Sequence, residues 1–304
     1  TGQPFVIGEV GVGTGLNLCL TITEWLRQRH PGATLHYVGL ERAPFRPEDM
    51  RRALGHWPEL TPELSALLAR WPDPLPGCHR RYFPKWGLTL DLWWADAADA
   101  LQDLASHGQS WVDAWYLDGF APSREPGPWQ QRLYDAMAGL SRAEATFATF
   151  TAAGDVRRGL AASGFEVHKR PGFGSKREAL CGTIDTPHTT APAITPWDLH
   201  PASHTPERAL ILGAGLAGAH AAFALARRGV AVTVLEAASV AGGGSSNLQG
   251  VTYTRLSHQH NPLTDFSLAG FSFATDHYET LLGGGALITD EDIGLGGYVQ
   301  LHES

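Results

Sequence analysis

The stretch PFVIGEVGVGTGLNLCLTITEWLRQRH (residues 4–30) decides the architecture of the first half of the chain. An apolar run long enough for a buried strand ends in a turn carrying Gly11, Gly13 and Gly15. A segment of helical length and periodicity follows at once. The pattern repeats outward from there. LHYVGLE (35–41), LDLWWAD (90–96), VDAWYLD (112–118) and ATFATFT (145–151) read as further strands, with helix-compatible segments at 99–107 and 155–163. Strands alternating with helices predict a mostly parallel sheet covered on both faces, an α/β fold. Two last strands, 166–170 and 179–184, are joined by only PGFGSKRE, so an antiparallel pair at the sheet edge is expected.

Residues 186–206 are rich in proline and lack periodicity, which marks a linker. Directly after it, RALILGAGLAGAHAAFALARRGVAVTVLE (208–236) opens a second strand-loop-helix unit. The expected organisation is therefore a first domain over 1–185, a linker over 186–206 and a second, incomplete domain over 207–304. Apolar residues make up 43% of the 304, enough for packed cores. No apolar run approaches the roughly 18 residues of a membrane span, so no membrane partner is expected. Cys19, Cys78 and Cys181 are odd in number and lack metal-ligand or disulfide spacing, which fits a reducing cytoplasm and predicts no metal. The net charge of −8 argues mildly against a nucleic-acid partner, although a local basic patch can override a global deficit.

Three strands of the first half end in carboxylates: Glu41, Asp96 and Asp118. Ligands of open α/β sheets bind at the C-terminal strand edge, and an acid at the end of the second strand suits ribose hydroxyls. Each acid alone could equally be a helix N-cap. Together with the glycine loop they point to a nucleoside ligand. A dinucleotide would bring a pyrophosphate to the loop, where Glu9, read as lying at its mouth, would repel it. A cationic, phosphate-free nucleoside such as S-adenosylmethionine suits Glu9 better. The edge hairpin also favours a class I methyltransferase sheet, Rossmann-like, over a dehydrogenase sheet. Glu9, Gly11, Gly13, Thr14, Gly15, Asn17, Glu41 and Asp96 are the candidate S-adenosylmethionine site.

The string LDGFAP (117–122) places an acid, an aromatic and a proline after the fourth strand, beside the expected methyl group. Its pattern resembles the Asp-Pro-Pro-aromatic signature of amino-methyltransferases. An amine nucleophile needs its lone pair aimed along the methyl–sulfur axis, and a carboxylate accepting an N–H fixes that direction. Asp118 is the candidate catalytic residue, with Phe120 and Pro122 against the substrate. A turn aspartate is the alternative.

EVGVGTGLN, DLWWAD, WYLDGFAP, TFATFTAAGDVRRGL and GFGSKREALCG, in this order, resemble the methyltransferase half of the bifunctional tRNA 5-methylaminomethyl-2-thiouridine biosynthesis family. The resemblance covers nearly all of residues 1–185. It implies methylation of the 5-aminomethyl group of a wobble uridine with S-adenosylmethionine, Asp118 acting on that amine, after a fused FAD-dependent domain has removed a carboxymethyl group. It implies the tRNA anticodon loop as partner. Arg157, Arg158, Lys169, Arg170 and Arg177 are candidate backbone contacts, and Phe173 and Lys176 lie on a segment expected to close the site.

Gly213-x-Gly215-x-x-Gly218 follows a strand and opens a helix, and Glu236 ends the next strand. This is a dinucleotide fingerprint in its proper context. The glycine- and serine-rich stretch carrying Ser245 and Asn247 resembles FAD enzymes of the amine-oxidase type, so FAD is preferred over NAD. The segment is short for a complete oxidoreductase, and the family resemblance implies a chain trimmed at both ends, so flavin turnover is not expected of it. His258 and His260 read as loop histidines. Two other readings remain open: an oxidoreductase with two dinucleotide sites, and a non-catalytic tRNA-binding chain.

Overall fold

The computed structural model describes residues 3–119, 129–174, 176–185, 206–247, 249–254, 261–289, 291–294 and 296. The chain runs β1 (Phe5–Val10), α1 (Leu16–Gln28), β2 (Leu35–Glu41), α2 (Pro47–Leu54), α3 (Thr61–Leu68), β3 (Gly77–Phe83), β4 (Leu88–Trp94), α4 (Ala97–Ser106) and β5 (Val112–Leu117). It continues through α5 (Gln131–Leu140), β6 (Ser141–Thr149), α6 (Gly154–Ala162), β7 (Glu166–Pro171) and β8 (Glu178–Ile184). Eight strands form one sheet in the order β3-β4-β2-β1-β5-β6-β8-β7. Strands β4, β2, β1, β5 and β6 are mutually parallel, and β7 and β8 are antiparallel at one edge. The order reverses between β1 and β5, so the crevice above their C-terminal ends is the topological switch point where such sheets hold ligands.

Period-two alternation divides the sheet into two cores. On one face Val6, Val10, Trp115 and Leu117 pack with α4, α5 and α6; on the other Ile7, Tyr37, Leu90 and Leu92 pack with α1, α2 and α3. Gly8 leaves room for Trp115, its neighbour across the β1–β5 ladder: a Cβ at Gly8 would overlap the indole ring. That indole is buried and donates to Ser141 Oγ at 2.9 Å.

The sequence pattern does not announce β3, which pairs antiparallel with β4 at the other edge. Its inward positions include His79 and Arg81, both buried, instead of an apolar series. Each is satisfied locally, His79 Nε2 with Leu75 O at 2.6 Å and Arg81 Nε with Arg70 O at 2.9 Å. Helices α2, α3 and α5 were likewise not separated from their surroundings by sequence pattern alone.

In the second half, β9 (Arg208–Leu212) and β10 (Ala231–Leu235) form a parallel pair bridged by α7 (Leu216–Ala226), and α8 (Pro262–Gly283) follows. Asn261 and Thr264 form a reciprocal capping box at the start of α8. Helix α8 lies against β3, where Asp276 accepts from Arg70 at 2.6 Å and meets Arg81 at 3.1 Å.

Candidate active site

The glycine loop between β1 and α1 turns through left-handed conformations at Gly11, Gly13 and Gly15, with φ of 86°, 52° and 77°. Gly11 has a second reason to lack a side chain. A Cβ there would sit 2.5 Å from Gly119 Cα, so the loop after β1 and the turn after β5 touch backbone to backbone. Asp118 N donates to Val10 O at 2.9 Å, and Gly11 N to Leu40 O at 2.9 Å, which ties three strand ends into one rim. Gly13 faces open space, with no atom within 4 Å of where its Cβ would be. Thr14 lies in the same turn, half-buried.

Glu41 ends β2 and accepts from Gly13 N at 3.1 Å through Oε2 and from Ala43 N at 2.9 Å through Oε1. Each carboxylate oxygen can accept a second hydrogen bond, so capacity for two ribose hydroxyls remains. Asp96 is the N-cap of α4, with Oδ1 accepting from Ala98 N at 3.0 Å and Asp99 N at 3.2 Å. Arg132, which also pairs with Asp99, lies 3.4 Å from the same oxygen. The capping alternative therefore holds for Asp96 Oδ1.

Glu9 is not at the mouth of the loop. It is fully buried beneath it, on the α1 side of the sheet, so it does not confront a phosphate as the sequence suggested. The reason is the strand alternation that also turns Ile7 to that face. Tyr37 Oη lies 2.7 Å from Glu9 Oε2, and Asn17 Nδ2 donates to Oε1 at 2.8 Å. Burial raises the Glu9 carboxyl from 4.5 to about 8, against the opposing pull of those two hydrogen bonds; Asp118 and Glu41 add to the rise. Cation preference is thus not explained by a charged Glu9 at the loop.

Asp118 projects from the end of β5 into the crevice. Asn17 Nδ2 donates to its Oδ2 at 2.8 Å. The residue is open to solvent on one side. Desolvation from the protein behind it raises its carboxyl above the ordinary range, while Asn17 and the charge of Lys176 pull the other way. Lys176 Nζ stacks over the Phe150 ring, 3.7 Å from its centroid, and so brings the β7–β8 connection to the crevice. Phe173 on that connection is 96% exposed, available for stacking. Phe120 and Pro122 lie outside the described residues.

The basic stretch is partly neutralised. Arg158 pairs with Asp155, and Lys169 with Glu178 at 2.7 Å. Arg157 on α6, Arg170 on β7 and Arg177 in the β7–β8 connection are exposed.

In the second glycine loop, Gly213 has φ 99° and faces open space, and Gly218 packs so closely on Gly213 O that a Cβ cannot fit. Glu236 directly follows β10 and accepts from Ala214 N at 2.8 Å and Ala238 N at 3.2 Å. Ser245 Oγ accepts from Leu216 N at 3.0 Å at the start of α7, where a pyrophosphate would lie. Asn247 follows in the same exposed stretch. The open glycine turn at the start of α7 and the acid after β10 fit FAD. His258 and His260 fall outside the described residues. Among the described residues no group of three His, Cys, Asp or Glu side chains is placed to hold a metal, and no helix is long and apolar enough to cross a membrane.

Sheet order, glycine loop and strand-end carboxylates define a class I S-adenosylmethionine-dependent methyltransferase domain, followed by a Rossmann-type FAD-binding unit. Residues 58–185 match the family described as S-adenosyl-L-methionine-dependent methyltransferase, and residues 208–288 the family described as FAD dependent oxidoreductase. The tRNA 5-methylaminomethyl-2-thiouridine biosynthesis bifunctional protein MnmC of Chromohalobacter salexigens is 45% identical over 272 residues, covering 89% of this chain and 38% of that protein. MnmC of Aeromonas hydrophila is 44% identical over 276 residues, covering 89% and 41%. A crystal structure of MNMC2 from Aquifex aeolicus aligns with TM-score 0.45 at 20% identity, over 65% of this chain and 58% of that one. The chain belongs to the MnmC family, and it spans about two fifths of the length of these curated relatives.

Proposed function

We propose that this chain transfers a methyl group from S-adenosylmethionine to the primary amine of 5-aminomethyl-2-thiouridine in the anticodon loop of tRNA. The observation that carries this reading is Asp118. Its carboxylate stands at the switch point, one oxygen held by Asn17, next to a glycine loop with open space at Gly13. The names of the MnmC relatives supply the substrate class. Residues 1–185 are proposed as the methyltransferase domain, 186–206 as linker and 207–304 as part of the FAD domain. Cytoplasmic residence goes with a tRNA substrate.

Glu41 and the loop from Gly11 to Gly15 would hold the nucleoside, with Asp96 Oδ2 beside it. S-adenosylmethionine supplies an electrophilic methyl group on a sulfonium when bound. Asp118 accepts an N–H of the substrate amine and turns its lone pair toward that methyl group. A primary amine titrates near 10.4, so freeing the lone pair at pH 7 costs about 4–5 kcal/mol. A carboxylate opposes that deprotonation. Its contribution is direction, and afterwards it receives a proton more readily than an ordinary aspartate, because its carboxyl is raised. Phe173 would stack a base, and Arg157, Arg158, Lys169, Arg170 and Arg177 would meet phosphates. In the FAD domain, Gly213, Gly215, Gly218, Glu236, Ser245 and Asn247 would hold the dinucleotide.

The test is methyl transfer from labelled S-adenosylmethionine to tRNA bearing 5-aminomethyl-2-thiouridine, read by nucleoside mass spectrometry. Product is expected, and Asp118→Asn should abolish it while tRNA binding survives. Product that persists in Asp118→Asn refutes the assignment of Asp118.

A further inference from the structure

Asn17 sits in the first turn of α1, a place where side chains ordinarily face solvent or the helix end. Here its single amide nitrogen lies 2.8 Å from Glu9 Oε1 and 2.8 Å from Asp118 Oδ2. These acceptors come from the ends of β1 and β5 and are 109 residues apart in sequence (118 − 9). A primary amide has two N–H groups. Both are committed, one to each carboxyl, so the rotamer of Asn17 is fixed from two sides. Tyr37 holds the far oxygen of Glu9 at 2.7 Å, which anchors the chain of contacts in the core.

We propose that Asn17 is the positioning residue of the active site: by holding Oδ2 of Asp118 it fixes the rotation of the carboxylate, so that its free lone pairs meet an N–H of the substrate amine in one orientation. The inference rests on the amine-methyltransferase reading above. A free carboxylate can rotate about its Cβ–Cγ bond and present either oxygen. Held by Asn17, it keeps one orientation. The fixed direction is passed to the amine nitrogen, and misdirection of the lone pair is what costs rate. The anchor keeps this geometry whichever way Glu9 is protonated. A neutral Glu9 turns its O–H to Tyr37 Oη and still accepts from Asn17 at Oε1.

The arrangement separates Asn17 from a simple cofactor contact. If it serves Asp118, its loss lowers kcat and leaves S-adenosylmethionine affinity in place. It also alters the titration of Asp118, because the lost hydrogen bond favours the ionised form. The acid limb of the kcat profile then moves to higher pH. A purely structural role lowers activity by the same factor at every pH.

The experiment measures kcat, KM and the pH profile for the unaltered protein, Asn17→Ala and Asn17→Ser, with labelled S-adenosylmethionine and tRNA bearing 5-aminomethyl-2-thiouridine. Circular dichroism melting checks each variant, and Asn17→Ser decides if Asn17→Ala does not fold. Expected are a kcat about 10–100-fold lower, the loss of one hydrogen bond to a charged group, cofactor KM within about twofold, and an acid limb displaced upward. An unchanged kcat, a fall that is uniform in pH, or a fall explained by lost cofactor affinity overturns the role given to Asn17. Absence of product with the unaltered protein overturns the amine-methyltransferase reading itself, and the inference with it.

Discussion

Replacing Glu9 by glutamine should make the protein more stable, and increasingly so as pH rises. Glu9 has no exposed surface, and its carboxyl titrates at about 8 instead of 4.5. Below pH 4.5 the acid is protonated in both the folded and unfolded chain, and it imposes no pH dependence. Between 4.5 and 8 the unfolded chain releases this proton while the folded one retains it, so stability falls with rising pH. The slope is about 1.4 kcal/mol per pH unit, which accumulates to a ceiling of about 5 kcal/mol by pH 8. Above that the folded protein ionises too and the loss is complete. Glutamine occupies the same volume, can accept from Asn17 and donate to Tyr37 Oη, and does not titrate. Every other titrating group is common to the two proteins and cancels in their difference. Urea unfolding of both at pH 5, 7 and 9 measures that difference directly. The gap should be small at pH 5 and widen by several kcal/mol at pH 9. A gap that is constant, or that narrows with pH, refutes the claim that Glu9 is buried in neutral form.

Gly8→Ala drives a Cβ into the Trp115 ring and should cost about 1–3 kcal/mol in chemical unfolding, the range for overpacking a close-packed core; a cost below about 0.5 kcal/mol would mean that the ring has room to move. Gly11→Ala imposes both a left-handed φ of 86° on alanine and a 2.5 Å approach to Gly119 Cα. It should abolish S-adenosylmethionine binding in calorimetry, and retained affinity would count against the loop as the nucleoside cradle. Asp91 is buried, and although burial pushes its carboxyl up, hydrogen bonds from Arg80 at 2.6 and 2.7 Å and His36 at 2.8 Å bring it down to about 2. Its contribution of about 2 kcal/mol is present above pH 3.8 and lost as pH falls through about 2. Asp91→Asn should therefore flatten that part of the acid-unfolding profile.

The parallel core was legible because buried parallel strands write themselves as apolar runs ending at a carboxylate or glycine, as in LHYVGLE and WYLDG. The edge strand β3 was not, because its inward positions carry His79 and Arg81 in place of an apolar series, their polar atoms met by the backbone carbonyls of Leu75 and Arg70. The same limit governs the site. Asp118 could be named as a candidate from its position at a strand end and its neighbours. Asn17 could be placed in the loop but not joined to Asp118, since nothing in a stretch of sequence reports a partner 101 residues away. Glu9 was misplaced for a related reason. An acid beside a glycine turn reads as accessible, but strand alternation turns it to the face of Ile7, where Tyr37 on the adjacent strand meets it.

The contact between Gly11 and Gly119 bears on how this pair of loops can drift over evolutionary time. In most cores a larger side chain on one side is answered by a smaller one opposite, and lineages wander through such exchanges. Here both partners are already reduced to hydrogen, and main chain lies against main chain. There is nothing left to trim at Gly119, so no second substitution there can rescue a side chain at Gly11, whereas a side chain at Gly119 would meet only Val10 O, at 3.9 Å. The constraint is therefore one-sided: the turn after β5 has room for a side chain at Gly119, while the loop after β1 must keep its glycine at 11.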